Sequence, residues 1–409
     1  MDCRHCRTEL HLVFVDLDRS PPSNAYLTDP STDEASYPLK VLVCEKCWLV
    51  QTEDHAAADE LFDTEYAYFS SYSASWLKHS EQYVNDMIER FELDGTSCVM
   101  EVAANDGYLL QYVAAAGIPC YGVEPTTSTA TAAREKGIEI VEEFFGVELG
   151  RRLAAEGRRA DLTAANNVLA HVPDINDFVG GFAEVLKPNG VSTFEFPHLG
   201  VLVSEGLFDT IYHEHYSYLS LTAVDRIFTA NGLSVFDVER LPTHGGSLRV
   251  FAQRSDTGSR PVSAAVTDLL AEEQDDGVSS AAYYQGFQPR VDAIRDGLLR
   301  FLDDAEADGK TVAAYGAAAK GNTLLNYSGV GADRIAFVVD ANPHKQGQFM
   351  PGSRVPIVDE SVLKDRRPDF VLVLPWNLMS EIAGQLSYIS DWGGKLVRAV
   401  PQLEISEAG

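Results

Sequence analysis

From Ser97 onward the chain alternates short apolar runs with amphipathic stretches, and this alternation restricts its possible folds more than any other feature. SCVMEVA reads as a strand, AANDG as a turn and YLLQYVAAAG as a helix; IPCYGVEP and STATAAREKG repeat the unit. DLTAANNVLAHV, the helix DINDFVGGFAEVLK, the turn PNG and the strand VSTFEF continue it. Repeated β–α units bury their strands beneath helices on both faces, which implies a mainly parallel sheet. The helix LTAVDRIFTANG and the strands LSVFDVERL and GSLRVFAQR follow, and the strand couple is expected to be antiparallel. After a mostly helical connector over 265–308, a second series begins, with TVAAYG, IAFVVD, DFVLVLPW and KLVRAVP as strand candidates.

At 409 residues the chain is too long for one ordinary domain. The expected division is a small β-rich module over 1–70, an α/β domain over 71–300 and a second, smaller α/β domain over 301–409. SASWLKHSEQYVNDMIERFEL has apolar residues at helical spacing and leads into the middle domain. The 61 acidic and 32 basic residues give a formal charge of −29. Such a surface repels polyanions and argues against nucleic-acid binding. No apolar run approaches the roughly 20 residues needed to span a bilayer. The start, MDCRHCRTEL, lacks an apolar leader core, so a cytoplasmic location is expected.

Four of the six cysteines form two C-x-x-C pairs, Cys3 with Cys6 and Cys44 with Cys47. In a reducing compartment this spacing favours one tetrahedral Zn²⁺ over disulfides. A shell of four thiolates leaves no coordination position for substrate, so the zinc is read as structural. His5 lies between the first pair and is taken as a bystander.

EVAANDGYL follows a strand and opens a helix. Its members Glu101, Ala103, Asn105, Asp106 and Gly107 lack the G-x-G-x-x-G series of a dinucleotide site, which disfavours an NAD-dependent dehydrogenase. Small residues at 103 and 104 let a ligand approach the backbone, and helix N–H groups face the same spot. The loop fits the amino-acid end of S-adenosylmethionine (SAM). Glu124 ends the next strand, where a carboxylate can accept both ribose hydroxyls of an adenosine. Phe144 and Phe145 can flank an adenine or pack in the core, and core is the better reading for at least one. Asn166 and Asn167 end the fourth strand, at the mouth where the cofactor belongs, and His171 follows one helical turn on.

TIYHEHYSYLS crowds Tyr212, His213, Glu214 and His215 together. On a strand both histidines would share a face with Glu214 opposite, which makes a poor metal triad. Two readings stay open on the residues alone: a polar cluster plugging a loop, or a site where His215 takes a proton, Tyr212 steadies an oxyanion and Glu214 orients the imidazole. His244-Gly245-Gly246 enters the final strand of this domain, and its glycines permit close approach. In YGAAAKGN of the last domain, Lys320 is placed for a phosphate and Asn322 lies beside it.

Together, CRHC…CEKC, EYAYFSSYS, EVAANDGYLL, YGVEP, NNVLAHVPD, FDTIYHEHYSYLS, LPTHGGSLRV and YGAAAKGNTLLNY resemble, in order and over nearly the whole chain, the bacterial sugar C-methyltransferases that act on nucleotide-linked 4-keto-deoxysugars. The resemblance implies a zinc-binding N-terminal module, a SAM-dependent Rossmann-like middle domain and an α/β C-terminal domain that helps bind the sugar nucleotide. It implies His215 as base, with Tyr212 and Glu214 beside it. It also brings Tyr66 or Tyr68 to the site, lines the same cleft with His171 and the HGG loop, and implies a monomer. His213 is a position that the family does not fix. Ala103 departs from the glycine that class members often carry there. The rival functions are O- or N-methylation of another small molecule, and a zinc-stabilised nucleotide-binding module without chemistry.

Overall fold

A computed structural model describes residues 1–55 and 69–407. The N-terminal module pairs β1 (Leu12–Ser20), β2 (Tyr37–Val43) and β3 (Val50–Thr52) as an antiparallel meander. The middle sheet has seven strands. β4 (Val99–Val102), β5 (Cys120–Val123), β6 (Glu139–Val141), β7 (Ala160–Asn166) and β8 (Leu186–Pro197) are mutually parallel. Between β8 and the next strand of that sheet, β9 (Ser217–Tyr218) leaves to pair with β3 and completes the N-terminal sheet. β10 (Leu233–Leu241) and β11 (Ser247–Arg254) return as the expected antiparallel couple against β8. The order is β10-β11-β8-β7-β4-β5-β6, the class I methyltransferase arrangement.

The last domain forms a six-stranded sheet ordered β14-β13-β12-β15-β16-β17. Its strands are β12 (Val312–Tyr315), β13 (Val338–Val339), β14 (Ile357–Val358), β15 (Phe370–Val373), β16 (Lys395–Arg398) and β17 (Glu404–Glu407). The four expected strands are present. β14 and β17 were not expected: the first has only two residues, and the second is a largely exposed edge without an apolar run.

Two local expectations are corrected. PNG is not a turn between helix and strand. Pro188 to Gly190 lie inside β8, which advances from Leu186 to Val191 while β7 advances from Ala160 to Leu162, an irregularity that absorbs the proline within the strand. The segment His213–His215 is not a strand either; it turns, and only Ser217–Tyr218 is extended into a ladder.

The helix Ala74–Phe91 forms where the spacing places it. Ser73 Oγ accepts from the Trp76 amide, and Tyr83, Val84 and Met87 turn inward. One apolar core links all three parts of the chain. Phe14 of β1 stacks on Phe287 at 4.3 Å, and the helix Phe287–Ala307 carries Val291, Leu298 and Leu302 into the cluster that holds Phe208, Ile211, Leu324 and Trp376. The three parts are therefore packed against one another, and losing one such phenylalanine would cost about 3–5 kcal/mol. Among the described residues no helix is long and apolar enough to cross a membrane.

Candidate active site

The thiol groups of Cys3, Cys6, Cys44 and Cys47 all lie within 4.8 Å of one another. Their two turns are the same: the amide four residues on donates back to the first cysteine's carbonyl, from Arg7 to Cys3 at 3.0 Å and from Trp48 to Cys44 at 2.8 Å. Arg7 and Trp48 both take positive φ, 59° and 64°, to leave the turn. Hydrogen bonds from Cys44 and Cys47 pull the Cys3 thiol down, and the bond to Cys3 pushes Cys47 up. A buried set of this kind needs a cation to carry four thiolates, and Zn²⁺ meets that need. His5 instead bonds Asn176, 2.7 Å away. Gln51 of β3 donates to Cys3 Sγ at 3.4 Å, so the strand that pairs with β9 is tied to the metal cluster.

At the carboxyl end of β4 the backbone turns sharply. Ala103, Asn105 and Gly107 have φ of 58°, 48° and 75°. The left-handed conformation at 103 accounts for the expectation of glycine there, and alanine holds it at a modest cost. Glu101 is fully buried, with the Tyr108 hydroxyl as its neighbouring donor, and burial pushes its pKa well up. Glu124 is oriented by the loop itself: one oxygen accepts from the Asn105 amide at 2.9 Å and the other from the Thr126 amide at 3.0 Å. Burial raises this carboxyl as well. Asp106 is buried beside Lys136, which also donates to its carbonyl. Asn166 ends β7 with its Oδ1 buried and unpartnered among the described residues. A zwitterionic amino acid and a ribose diol are the groups this donor and acceptor set would satisfy, and SAM carries both. Phe145 packs on Phe178 and Phe182, with centroids 5.8 and 4.7 Å apart, so it is the core member of its pair; Phe144 is 67% exposed.

Three histidines gather together: the rings of His171 and His215 are 4.6 Å apart, and His244 is near enough to act on the charge of both. His215 Nδ1 lies 2.8 Å from the Thr210 carbonyl. A carbonyl can only accept, so Nδ1 carries the proton and Nε2 keeps its lone pair. The Tyr212 ring lies 3.9 Å away and the His171 ring 4.6 Å. His171 is fixed in the same way, Nδ1 to the Glu214 carbonyl at 2.8 Å. Burial pulls His215 well below the ordinary histidine range and holds His171 and His244 down to about 4. Glu214 does not orient the imidazole as expected; its carboxylate accepts from Asn24 Nδ2 at 3.2 Å, and the Thr210 carbonyl has the orienting place. His213 faces away, towards the Pro38 carbonyl.

Asn167 has φ 53° and faces His244 Nε2 at 3.2 Å, which brings the fourth strand's end and the HGG loop together. Thr243, beside that histidine, is anchored on the buried Glu195 at 2.9 Å, and Glu195 also holds His79 and Arg249. A Cβ on Gly245 would sit 2.5 Å from the Trp376 ring, so the glycine is needed for close approach. Lys320 reaches this cleft from the helix Ala319–Tyr327, donating to Asn377 at 2.8 Å with its ammonium 4.5 Å above Trp376, and burial lowers it to about 8. Asn322 does not line the cleft. It is fully enclosed, and its amide bonds the Ser23 carbonyl at the seam with the N-terminal module. Tyr66 and Tyr68 lie outside the described residues. Sequence reasoning missed Asp209, Trp376 and Asn24, each brought in by a contact between distant segments.

Family models match three consecutive segments: a zinc binding domain over residues 3–62, a methyltransferase domain over 76–238 and a C-methyltransferase C-terminal domain over 242–401. The C-methyltransferase NovU of Streptomyces niveus is 34% identical over 409 residues, covering 100% of this chain and 97% of its own. Among solved structures, magnesium protoporphyrin IX methyltransferase of Synechocystis PCC 6803 with bound SAM is 18% identical, covering 44% of this chain and 82% of its own, with a TM-score of 0.33. A protein of Pyrococcus horikoshii OT3 is 15% identical over 49% of this chain and 100% of its own, with a TM-score of 0.39. The fold and site define a SAM-dependent methyltransferase with a structural zinc. The chain belongs to the C-methyltransferase family and is a SAM-dependent C-methyltransferase.

Proposed function

We propose that the methyl acceptor is C-3 of a nucleotide-linked 4-keto-deoxysugar. A ketone at C-4 acidifies the neighbouring C–H bond. His215 Nε2 removes that proton, and the enolate oxygen is steadied by Tyr212 with His171 or His244. SAM, when bound, would supply an electrophilic methyl group to the enolate carbon, with S-adenosylhomocysteine as the leaving group. Glu101, Ala103, Asn105, Asp106, Gly107, Glu124, Asn166 and Asn167 hold the cofactor in this reading, while Lys320 and the backbone of His244 to Gly246 receive the sugar nucleotide. Phe145 and Asn322 act through packing instead. A buried, neutral imidazole suits the abstraction, since it accepts a proton without first losing one.

The observation that carries the reading is His215 Nδ1 bonded to the Thr210 carbonyl, with the Tyr212 and His171 rings beside the imidazole and Lys320 near enough to act on its charge. The test is deuterium exchange from D₂O into a nucleotide 4-keto-6-deoxyhexose with SAM absent, read by NMR. Exchange at C-3 that His215→Ala abolishes is expected. No exchange with folded, SAM-binding enzyme would sink the enolate route, and exchange at C-5 would move the acceptor carbon to the other side of the ketone.

A further inference from the structure

Trp376 follows β15 in the last domain and is only 8% exposed. Its indole meets three separate parts of the cleft. Nε1 donates to Asp209 Oδ2 at 2.6 Å, across 167 residues of chain. Its ring edge fills the space that a side chain at Gly245 would need, and its face lies under the Lys320 ammonium. Asp209 has no exposed surface and sits in the tight turn Phe208–Thr210. The next residue is Thr210, whose carbonyl holds His215 Nδ1 at 2.8 Å. Thr210 is itself held by its amide and hydroxyl, both donating to the Leu207 carbonyl at 3.2 and 2.7 Å. A short, doubly held turn passes any displacement of Asp209 directly to the Thr210 carbonyl.

We propose that Trp376 is a positioning residue: its N–H bond to Asp209 fixes the turn whose Thr210 carbonyl sets the tautomer and direction of His215. The last domain thereby acts on the base as well as walling the cleft. The N–H contributes because its acceptor is a carboxylate buried away from water, where a charge-assisted bond is strong and its loss leaves an unsatisfied group. This inference rests on His215 being the base, and the experiment separates the two.

Trp376→Phe removes the N–H together with the ring edge that lies against Gly245, so the Asp209 variants, which leave the indole in place, isolate the bond from the packing. Asp209→Asn keeps an acceptor for the indole, and Asp209→Ala removes it. Two readings on the full chain are needed. Histidine ring ¹⁵N NMR at pH 7, with the His215 signal assigned by its loss in His215→Gln, gives the tautomer without substrate. Exchange of the C–H next to the ketone in a nucleotide 4-keto-6-deoxyhexose, with SAM turnover, gives the kinetic effect. Trp376→Phe and Asp209→Ala are each expected to mix the His215 tautomers and to cut exchange and kcat about ten-fold, with KM for SAM unchanged. Asp209→Asn should keep most of both, and the double variant Trp376→Phe/Asp209→Ala should be no worse than either single change. A parental tautomer in Trp376→Phe and Asp209→Ala overturns the proposal, as does a loss confined to melting temperature and KM. If His215→Gln retains exchange, the base assignment fails instead, while the tautomer reading still decides the role of Trp376.

Discussion

The middle and last domains open with the same β–α–β unit, wired alike and used differently. In the first, Glu124 at the end of β5 accepts the Asn105 amide from the preceding loop and the Thr126 amide two residues on. In the second, Asp340 just beyond β13 accepts the Ala317 amide at 2.8 Å and the Asn342 amide at 2.8 Å. The backbone logic is identical. Around it, however, Asp106 Oδ1 and Asn166 Oδ1 stay buried without a protein donor among the described residues. The last domain's loop is filled by the chain itself: the Ala317 carbonyl accepts from Tyr26 Oη at 2.6 Å and from Lys345 Nζ at 2.8 Å, and Gly316 lies against Pro375. The first unit is the proposed cradle for SAM, and the second is a socket for the N-terminal module. The lesson is that a strand-end acid defines the loop geometry, while the groups facing the loop decide what occupies it.

The strongest way to break this comparison is to remove the zinc. The cluster reaches His215 through Gln51, β3 and β9, whereas the SAM loop hangs from β4. Chelation, or Cys44→Ser, is expected to lower kcat at least about 100-fold by disturbing that path, with calorimetric SAM affinity changed far less. Equal losses in both would mean that the module supports the whole fold and not the base in particular.

Next in size, Glu124→Ala should weaken SAM about 30-fold, through the lost charge-assisted bonds. Asp340→Ala should leave SAM affinity as it was and lower the melting temperature. If both variants lost SAM equally, the two loops would not differ as described.

A pH series sharpens the contrast further. His171 and His244 are held down to about 4 by burial, whereas unfolded histidine titrates near 6.5. Between these values the unfolded chain binds more protons than the folded one, so stability is lost as pH falls from about 6.5 towards 4. His244→Asn should remove about 2 kcal/mol of the loss seen between pH 7 and pH 5 by denaturant unfolding. An unchanged pH dependence would show that the imidazole is not desolvated. The smallest effect belongs to the socket: Tyr26→Phe should cost about 1 kcal/mol of stability and leave SAM binding untouched.

Much of the candidate site could be read from the sequence because its parts are local. The cysteine pairs, the turn after β4, the acid at the end of β5 and the crowded TIYHEHYSYLS segment each announce themselves within a dozen residues. Orientation within them could not be read. On a strand His213 and His215 would share a face, but β9 begins only at Ser217 and the two rings part in the turn before it. Glu214 is next to His215 in sequence and bonds Asn24 instead. Phe144 and Phe145 are chemically alike, and only the packing against Phe178 and Phe182 tells the core residue from the exposed one.

By itself, the sequence determined the β–α order, the metal ligands and the chemistry available at each strand end, because propensity, periodicity and ligand spacing act over a few residues. Only the tertiary structure decided which of those groups meet. The bond from Trp376 to Asp209, the departure of β9 into the first sheet and the seat of Tyr26 in the last domain join segments far apart in the chain. Such contacts follow from how whole layers pack, and no short-range pattern encodes them.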